Sequence, residues 1–197
     1  MGSFRYGWSG DCITLKGWVL QRIITLIQEC KRRVVVIKKI ALKYWLLMVI
    51  VLTLLVSDQA TKAMVINSLS ENETIPVLEG YLNLTHVRNQ GAAFGILSDG
   101  GARIQRYFFI PITIVVSLAI LIIISHSRKD EIFKVISLSM VLSGALGNLM
   151  DRVRWGGVVD FIDIHYGTLH WPAFNVADAS ISIGVILLIV HLIVDHN

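Results

Sequence analysis

The stretch YFFIPITIVVSLAILIIISHS, residues 107–127, holds 21 consecutive residues without Asp, Glu, Lys or Arg. A bilayer-spanning helix needs about 17–25 predominantly apolar residues, so this run is long enough to cross a membrane. Three further apolar runs accompany it, and together they predict spans at about 40–57, 107–127, 133–151 and 174–194. The first carries Lys43 near its start, where a long stem can snorkel to the interface. The fourth carries one acid, Asp178. Of the 197 residues, 54% are hydrophobic and 16% charged, and the mean hydropathy is +0.66. Ordinary soluble domains are about 25% charged, and the remainder of this chain is too small to bury four such helices. The fold class expected is a membrane all-α bundle of four transmembrane helices. The first run begins some forty residues in and ends on Ser57-Asp58-Gln59, not on a small-residue cleavage site, so it reads as a retained span.

Charge sets the orientation. The net charge of +4 would suit nucleic acid, but the basic residues stand beside the apolar runs, which fits membrane topology and no nucleic-acid partner. Nine Lys and Arg occur up to Lys43, and Arg128, Lys129 and Lys134 lie between the second and third spans. The other two loops hold six: Lys62, Arg88, Arg103, Arg106, Arg152 and Arg154. A bias of twelve to six predicts both termini in the cytoplasm and the loops 57–106 and 151–173 outside.

Residues 1–39 form an extension ahead of the 40–197 four-span domain. Leu15, Trp18, Val19, Ile23, Ile24 and Ile27 recur at helical spacing, followed by Lys31, Arg32 and Arg33. Two readings stand side by side: a basic amphipathic helix on the cytoplasmic membrane surface, or a tail ahead of a start site further along. Cys12 and Cys30 give no disulfide framework or metal spacing, so two reduced thiols and no metal or cofactor are expected. Asn72-Glu73-Thr74 and Asn83-Leu84-Thr85 match a glycosylation sequon that matters only in a eukaryotic secretory pathway.

Polar residues within or beside the spans are costly, roughly 2.5–3.5 kcal/mol for an acid at a helix centre, and so are functional candidates. On the third span Gly144, Asn148 and Arg152 share a face, and Ser139, Ser143, Gly147 and Asp151 run beside them. Small residues at this spacing let helices approach closely. Asp151 and Arg152 can also be read as the interfacial stop of the span. On the fourth span Asn175, Asp178 and Ser182 share a face, with Asn175 the better N-cap and Asp178 about a turn inside. Between the two spans, Gly156-Gly157-Val158-Val159-Asp160-Phe161 sets one acid, on a predicted loop, among apolar neighbours, which raises a carboxyl pKa. Two such carboxylates on one side of the membrane would share a proton, one acting as base on a water and the other as acid. In the first outer loop Asp58 and Lys62 stand at i, i+4 in the favourable order. Tyr81–Val87 alternates as a short strand does, leading into Arg88-Asn89-Gln90-Gly91.

These pieces together resemble the lipoprotein signal peptidases, or signal peptidase II. The resemblance rests on five motifs in the family's order, over about residues 40–197. The first two are Asp58-Gln59-Ala60-Thr61-Lys62 and Asn89-Gln90-Gly91-Ala92-Ala93-Phe94. The others are the segments from Gly144 to Arg152, from Val158 to Phe161 and from Phe174 to Asp178. The long front segment departs from the family, whose members begin close to the first span. The resemblance implies an aspartic endopeptidase of the bacterial inner membrane. It would cleave the signal peptide from prolipoproteins, before a diacylglyceryl-modified cysteine. Asp160 and Asp178 would be the catalytic pair, and Asn148, Arg152 and Asn175 would line the site. Asp58, Lys62, Asn89, Gly144 and Ala177 would support its shape and substrate binding. It also implies a small outer β-sheet on the membrane, with Tyr166 and Trp171 at the interface. Partners would be the lipid-modified substrate, membrane lipid and the inhibitor globomycin.

The rival class is a carboxylate-dependent ion or proton transporter using Asp58, Asp160 and Asp178. It is disfavoured because those acids fall on one side and the second span offers no charge at mid-bilayer. The orientation is open to a direct check. Reporter fusions at residue 130 and at the C-terminus are expected to score as cytoplasmic, and fusions near 72 and 168 as external. A C-terminus scored outside would separate the two aspartates.

Overall fold

The computed structural model describes residues 11–91, 105–128 and 131–195, so Ala92-Ala93-Phe94, Arg103 and Lys129 lie outside the described residues. The chain forms two compact units, Met1–Leu42 and Lys43–Asn197. Helix α1 (Asp11–Ser68) contributes to both. In the first unit, every side chain from residue 20 to residue 35 is exposed.

The second unit contains four helices long and apolar enough to cross a bilayer: Leu42–Ser68, Tyr107–His126, Ile132–Trp155 and Val176–Val194. They belong to α1, to a π-helical turn (Gln105–Phe109) running into α2 (Ile110–His126), to α3 (Ile132–Trp155) and to α4 (Val176–Asp195). Many of their large side chains point outward. Val115, Ile122, Ile186 and Ile193 are about as exposed as the surface residues of a soluble protein, while Ser137, Ser139, Ser143 and Ser180 are buried. Lipid is as apolar as leucine, so helices associate through small and polar residues instead. A core of Ile120, Ile124, Val135, Leu138 and Leu142, joined by Leu47, Val51 and Leu188, ties the four helices together.

Three expectations are corrected: the end of the first span, the snorkelling of Lys43 and the loop placement of Asp160. The first span does not end near residue 57: apolarity stops at Val56, yet α1 runs on to Ser68, carrying Asp58 and Lys62 inside the bundle rather than into a loop. Lys43 does not snorkel. It is 8% exposed, and its Nζ donates to the carbonyls of Ile124 (3.0 Å), Ser125 (3.1 Å) and Ser127 (3.3 Å) at the end of α2. These are last-turn carbonyls, of which Ile124 O also accepts the Ser127 N–H at 3.2 Å, and a cation there meets the negative end of the helix dipole. The small residues of α3 divide between two neighbours. Ser143 Oγ donates to Val51 O of α1 (3.1 Å), whereas Gly144 abuts Ala177, Ser180 and Ile181 of α4. Gly184 completes the close packing from the α4 side, for an added Cβ would lie 2.8 Å from Ser137 O and 2.9 Å from Val141 Cγ2.

Beside the helix ends stands an antiparallel four-stranded sheet, ordered β1 (Thr74–Leu78), β2 (Leu82–Asn89), β3 (Val158–Tyr166) and β4 (Leu169–His170). The alternation over Tyr81–Val87 is thus a real strand. Val65, Leu69 and Phe161 with Leu84, Ile162 and Val176 fasten the sheet to α1 and α4. Tyr166 and Trp171 are well exposed, as interface residues are. Asp160 lies on β3, not on a loop. α3 ends at Gly156, whose φ of +69° suits the left-handed turn that directs the chain into β3. After β4 the chain folds back: Phe174 exchanges backbone hydrogen bonds with Ile162, its N–H donating at 3.0 Å and its carbonyl accepting at 2.8 Å. That pairing brings the start of α4 beside β3.

The α3–α4 contact leaves no room for a side chain at Gly184. Gly184→Leu is expected to lower stability by about 1–3 kcal/mol through overpacking, seen as a reduced Tm in detergent. An unchanged Tm would mean that these helices are not packed as described.

Candidate active site

The site lies where one set of ends of α1, α3 and α4 meets β2 and β3, and it consists of two joined clusters. The first is ionic. Lys62 of α1 places its Nζ 2.8 Å from Asp58 Oδ2 and 2.7 Å from Asp151 Oδ2 of α3, and donates to Asn148 Oδ1 at 3.3 Å. Three donors meet three acceptors, as a buried ammonium requires. Asp58, Lys62 and Asp151 are each at most 2% exposed. The two carboxylates also accept backbone amides. Asp58 Oδ1 accepts from Ala177 N–H (2.9 Å), a first-turn amide that α4 cannot pair internally. Asp151 Oδ2 accepts from Val159 N–H (3.2 Å) of β3. Gln59 Nε2 lies between Asp58 Oδ2 (3.1 Å) and Asp151 Oδ1 (3.0 Å). Gly147 leaves the space this cluster needs, since an added Cβ would fall 2.7 Å from Asp58 Oδ2.

The second cluster holds Asp160 and Asp178. Asn175 is the N-cap of α4: its Oδ1 accepts from Asp178 N–H (2.9 Å), and Asp178 Oδ2 accepts from Asn175 N–H (3.2 Å). This is a capping box in which Asp178 occupies the third position. The Nδ2 of the same asparagine donates to Asp160 Oδ1 (2.7 Å) and lies 3.3 Å from Asn148 Oδ1. One residue therefore touches both carboxylates. Asn148 Nδ2 donates to Asp178 Oδ1 (2.8 Å), and Asn89 Nδ2 donates to Asp160 Oδ2 (3.1 Å) from β2. Burial, and then the nearby Asp178, push the Asp160 carboxyl from an ordinary 3.8 up to about 7. Arg152 lies at the edge of the cluster, its guanidinium 5.0 Å from the Phe109 ring centroid and its Nη1 3.5 Å from Asn148 O. Its Nε is buried without an acceptor among the described residues.

The structure thus brings together all ten residues singled out by sequence: Asp58, Lys62, Asn89, Gly144, Asn148, Arg152, Asp160, Asn175, Ala177 and Asp178. Ala177 and Gly144 contribute a backbone N–H and close helix contact, respectively. Sequence reasoning missed Asp151, read as a possible boundary, and Gln59. The signals were present, because Asp151 continues the Ser143–Gly147 ladder and Gln59 sits beside Asp58. Among the described residues, no group of three or more His, Cys, Asp or Glu could hold a metal ion. Between Asp58 and Asp151, where a cation would be drawn, stands the Lys62 ammonium.

The raised Asp160 pKa carries a stability signature. A carboxyl whose folded pKa exceeds its unfolded value binds more protons folded than unfolded, so it removes stability as pH rises between the two values. For Asp160 that window runs from about 4 to about 7. The Tm of Asp160→Asn relative to the parent should therefore climb from pH 4 to pH 7 and level off above. A flat difference would show that Asp160 is not held protonated in the fold.

Comparison with known proteins agrees with this geometry. Residues 50–194 match the family model of signal peptidase (SPase) II. A lipoprotein signal peptidase of Geobacter metallireducens is 48% identical over 143 residues, 73% of this chain and 87% of that protein. One of Syntrophus aciditrophicus is 44% identical over 139 residues, 71% of this chain and 86% of that protein. Among solved structures, a bacterial membrane enzyme at 38% identity superposes with a TM-score of 0.69, covering 77% of this chain and 89% of the other. The chain belongs to the signal peptidase (SPase) II family of aspartic membrane peptidases.

Proposed function

We propose that this peptidase removes the signal peptide from lipid-modified prolipoproteins. The cut would fall before the diacylglyceryl cysteine, by water activated between Asp160 and Asp178. The observation that carries the reading is the bridging Asn175, which holds Asp160 by its side chain and Asp178 by its backbone. Together with a carboxyl poised near neutrality on Asp160, it supports a pair sharing one proton. The ionised member takes a proton from water as the oxygen attacks the scissile carbonyl, while the protonated member donates to the carbonyl oxygen. Collapse of the tetrahedral intermediate breaks the C–N bond, and the leaving amine receives the proton first taken from water. The Arg152 Nε–H, without an acceptor among the described residues, is a donor suited to a substrate backbone carbonyl.

A lipid-anchored substrate stays in the bilayer, with its scissile bond near the surface. The two aspartates stand at one end of the helix bundle, a depth consistent with such a bond. The charge bias of the loops supports that end as the external one, with both termini cytoplasmic. Membrane lipid would surround the site, and globomycin is the inhibitor implied by the family resemblance.

The test is cleavage of a lipidated preprolipoprotein by purified protein, followed as a gel shift. Asp160→Asn and Asp178→Asn should each lower turnover by at least about a hundredfold while the protein stays folded. Unlipidated precursor should remain uncut. Undiminished activity in either purified variant would remove the two-aspartate mechanism.

A further inference from the structure

We propose that residues 20–35 dock through one apolar face on an anionic phospholipid surface. These sixteen residues are helical, and all of them are exposed. At 3.6 residues per turn, Leu20, Ile23, Ile24, Leu26, Ile27, Cys30, Val34 and Val35 cover about half of the circumference, with Lys31 among them. Gln21, Arg22, Thr25, Gln28, Glu29, Arg32 and Arg33 take the other half. No described residue covers the apolar half: Leu20 is 60% exposed, Leu26 56%, Ile27 50% and Val35 53%.

Three observations select a lipid surface as the occupant. Four cations (Arg22, Lys31, Arg32 and Arg33) face one acid (Glu29), and Lys38 and Lys39 follow in sequence. That is the charge pattern of an interfacial helix on anionic lipid. Only six residues separate position 35 from Leu42, where the first span begins, so the segment is tethered beside a bilayer, and docking requires α1 to bend between residues 35 and 42. Lys31 would be buried inside the apolar face of a helix–helix contact, whereas at a lipid surface its stem can snorkel to a phosphate. The segment precedes residue 50, where the match to the family begins.

The test uses the full chain in nanodiscs of neutral phosphatidylcholine, or of phosphatidylcholine mixed with phosphatidylglycerol. A spin label is placed at Cys30 with Cys12→Ser, or on the polar side at Thr25→Cys with Cys12→Ser and Cys30→Ser. In anionic discs the oxygen-to-nickel collision ratio should be several-fold higher at Cys30 than at position 25. Replacing Lys31, Arg32 and Arg33 by Gln should release the helix, since each charge strengthens partition about fivefold. These side chains are exposed, so that variant should keep the parental Tm. Equal, water-like ratios at both positions would overturn the proposal, as would burial that is the same in neutral discs. Spin–spin coupling between labels at Cys30 would assign the face to a second copy of the chain instead.

Discussion

A single ammonium, Lys62, buried between Asp58 and Asp151, is the constraint on which the site end of the helix bundle rests. Leaving an uncompensated charge inside a protein costs several kcal/mol, about 3–5 when one partner of a buried pair is removed. The cluster therefore forms completely or fails. Completing it fixes four elements at once: α1 supplies Asp58 and Lys62, α3 supplies Asp151, α4 offers the Ala177 amide, and β3 offers the Val159 amide. Asp160 follows Val159 directly, and Asp178 follows Ala177 directly. The ionic cluster positions each aspartate of the pair through its immediate backbone neighbour.

Asp178 serves two purposes. Its carboxylate closes the capping box that begins α4, and it also faces Asn148 across the site. Asn175 likewise caps the helix while reaching Asp160. The architecture of a helix end and the geometry of the site are thus one set of hydrogen bonds. A group held this way has little rotational freedom, which favours an acid–base pair that must hold its aim.

The four helices were legible because apolar runs of bilayer length admit few other readings. The two aspartates were legible because acids beside such runs are costly. What sequence could not convey was non-local. The continuation of α1 past Val56 depends on partners for Gln59 and Lys62 that lie about 90 residues away on α3, and on the Ala177 amide of α4 for Asp58. The 17 residues between Asp160 and Asp178 give no reason for contact in their spacing. The structure adds the backbone pairing of Phe174 with Ile162, which no side-chain pattern announces. Gly184 could have been flagged, since an interior helix glycine is disfavoured by about 1 kcal/mol and invites a packing reason.

Lys43 has a consequence for how the chain is made. Its three acceptors belong to residues 124–127, more than eighty positions later in the chain. While only the first span has emerged from the ribosome, that ammonium lacks all three of these acceptors and is better solvated by interfacial water. It can leave water once the second span has been synthesised and has presented its terminal carbonyls. The first helix therefore settles to its final depth after the second arrives, and biogenesis acquires an order written by one side chain.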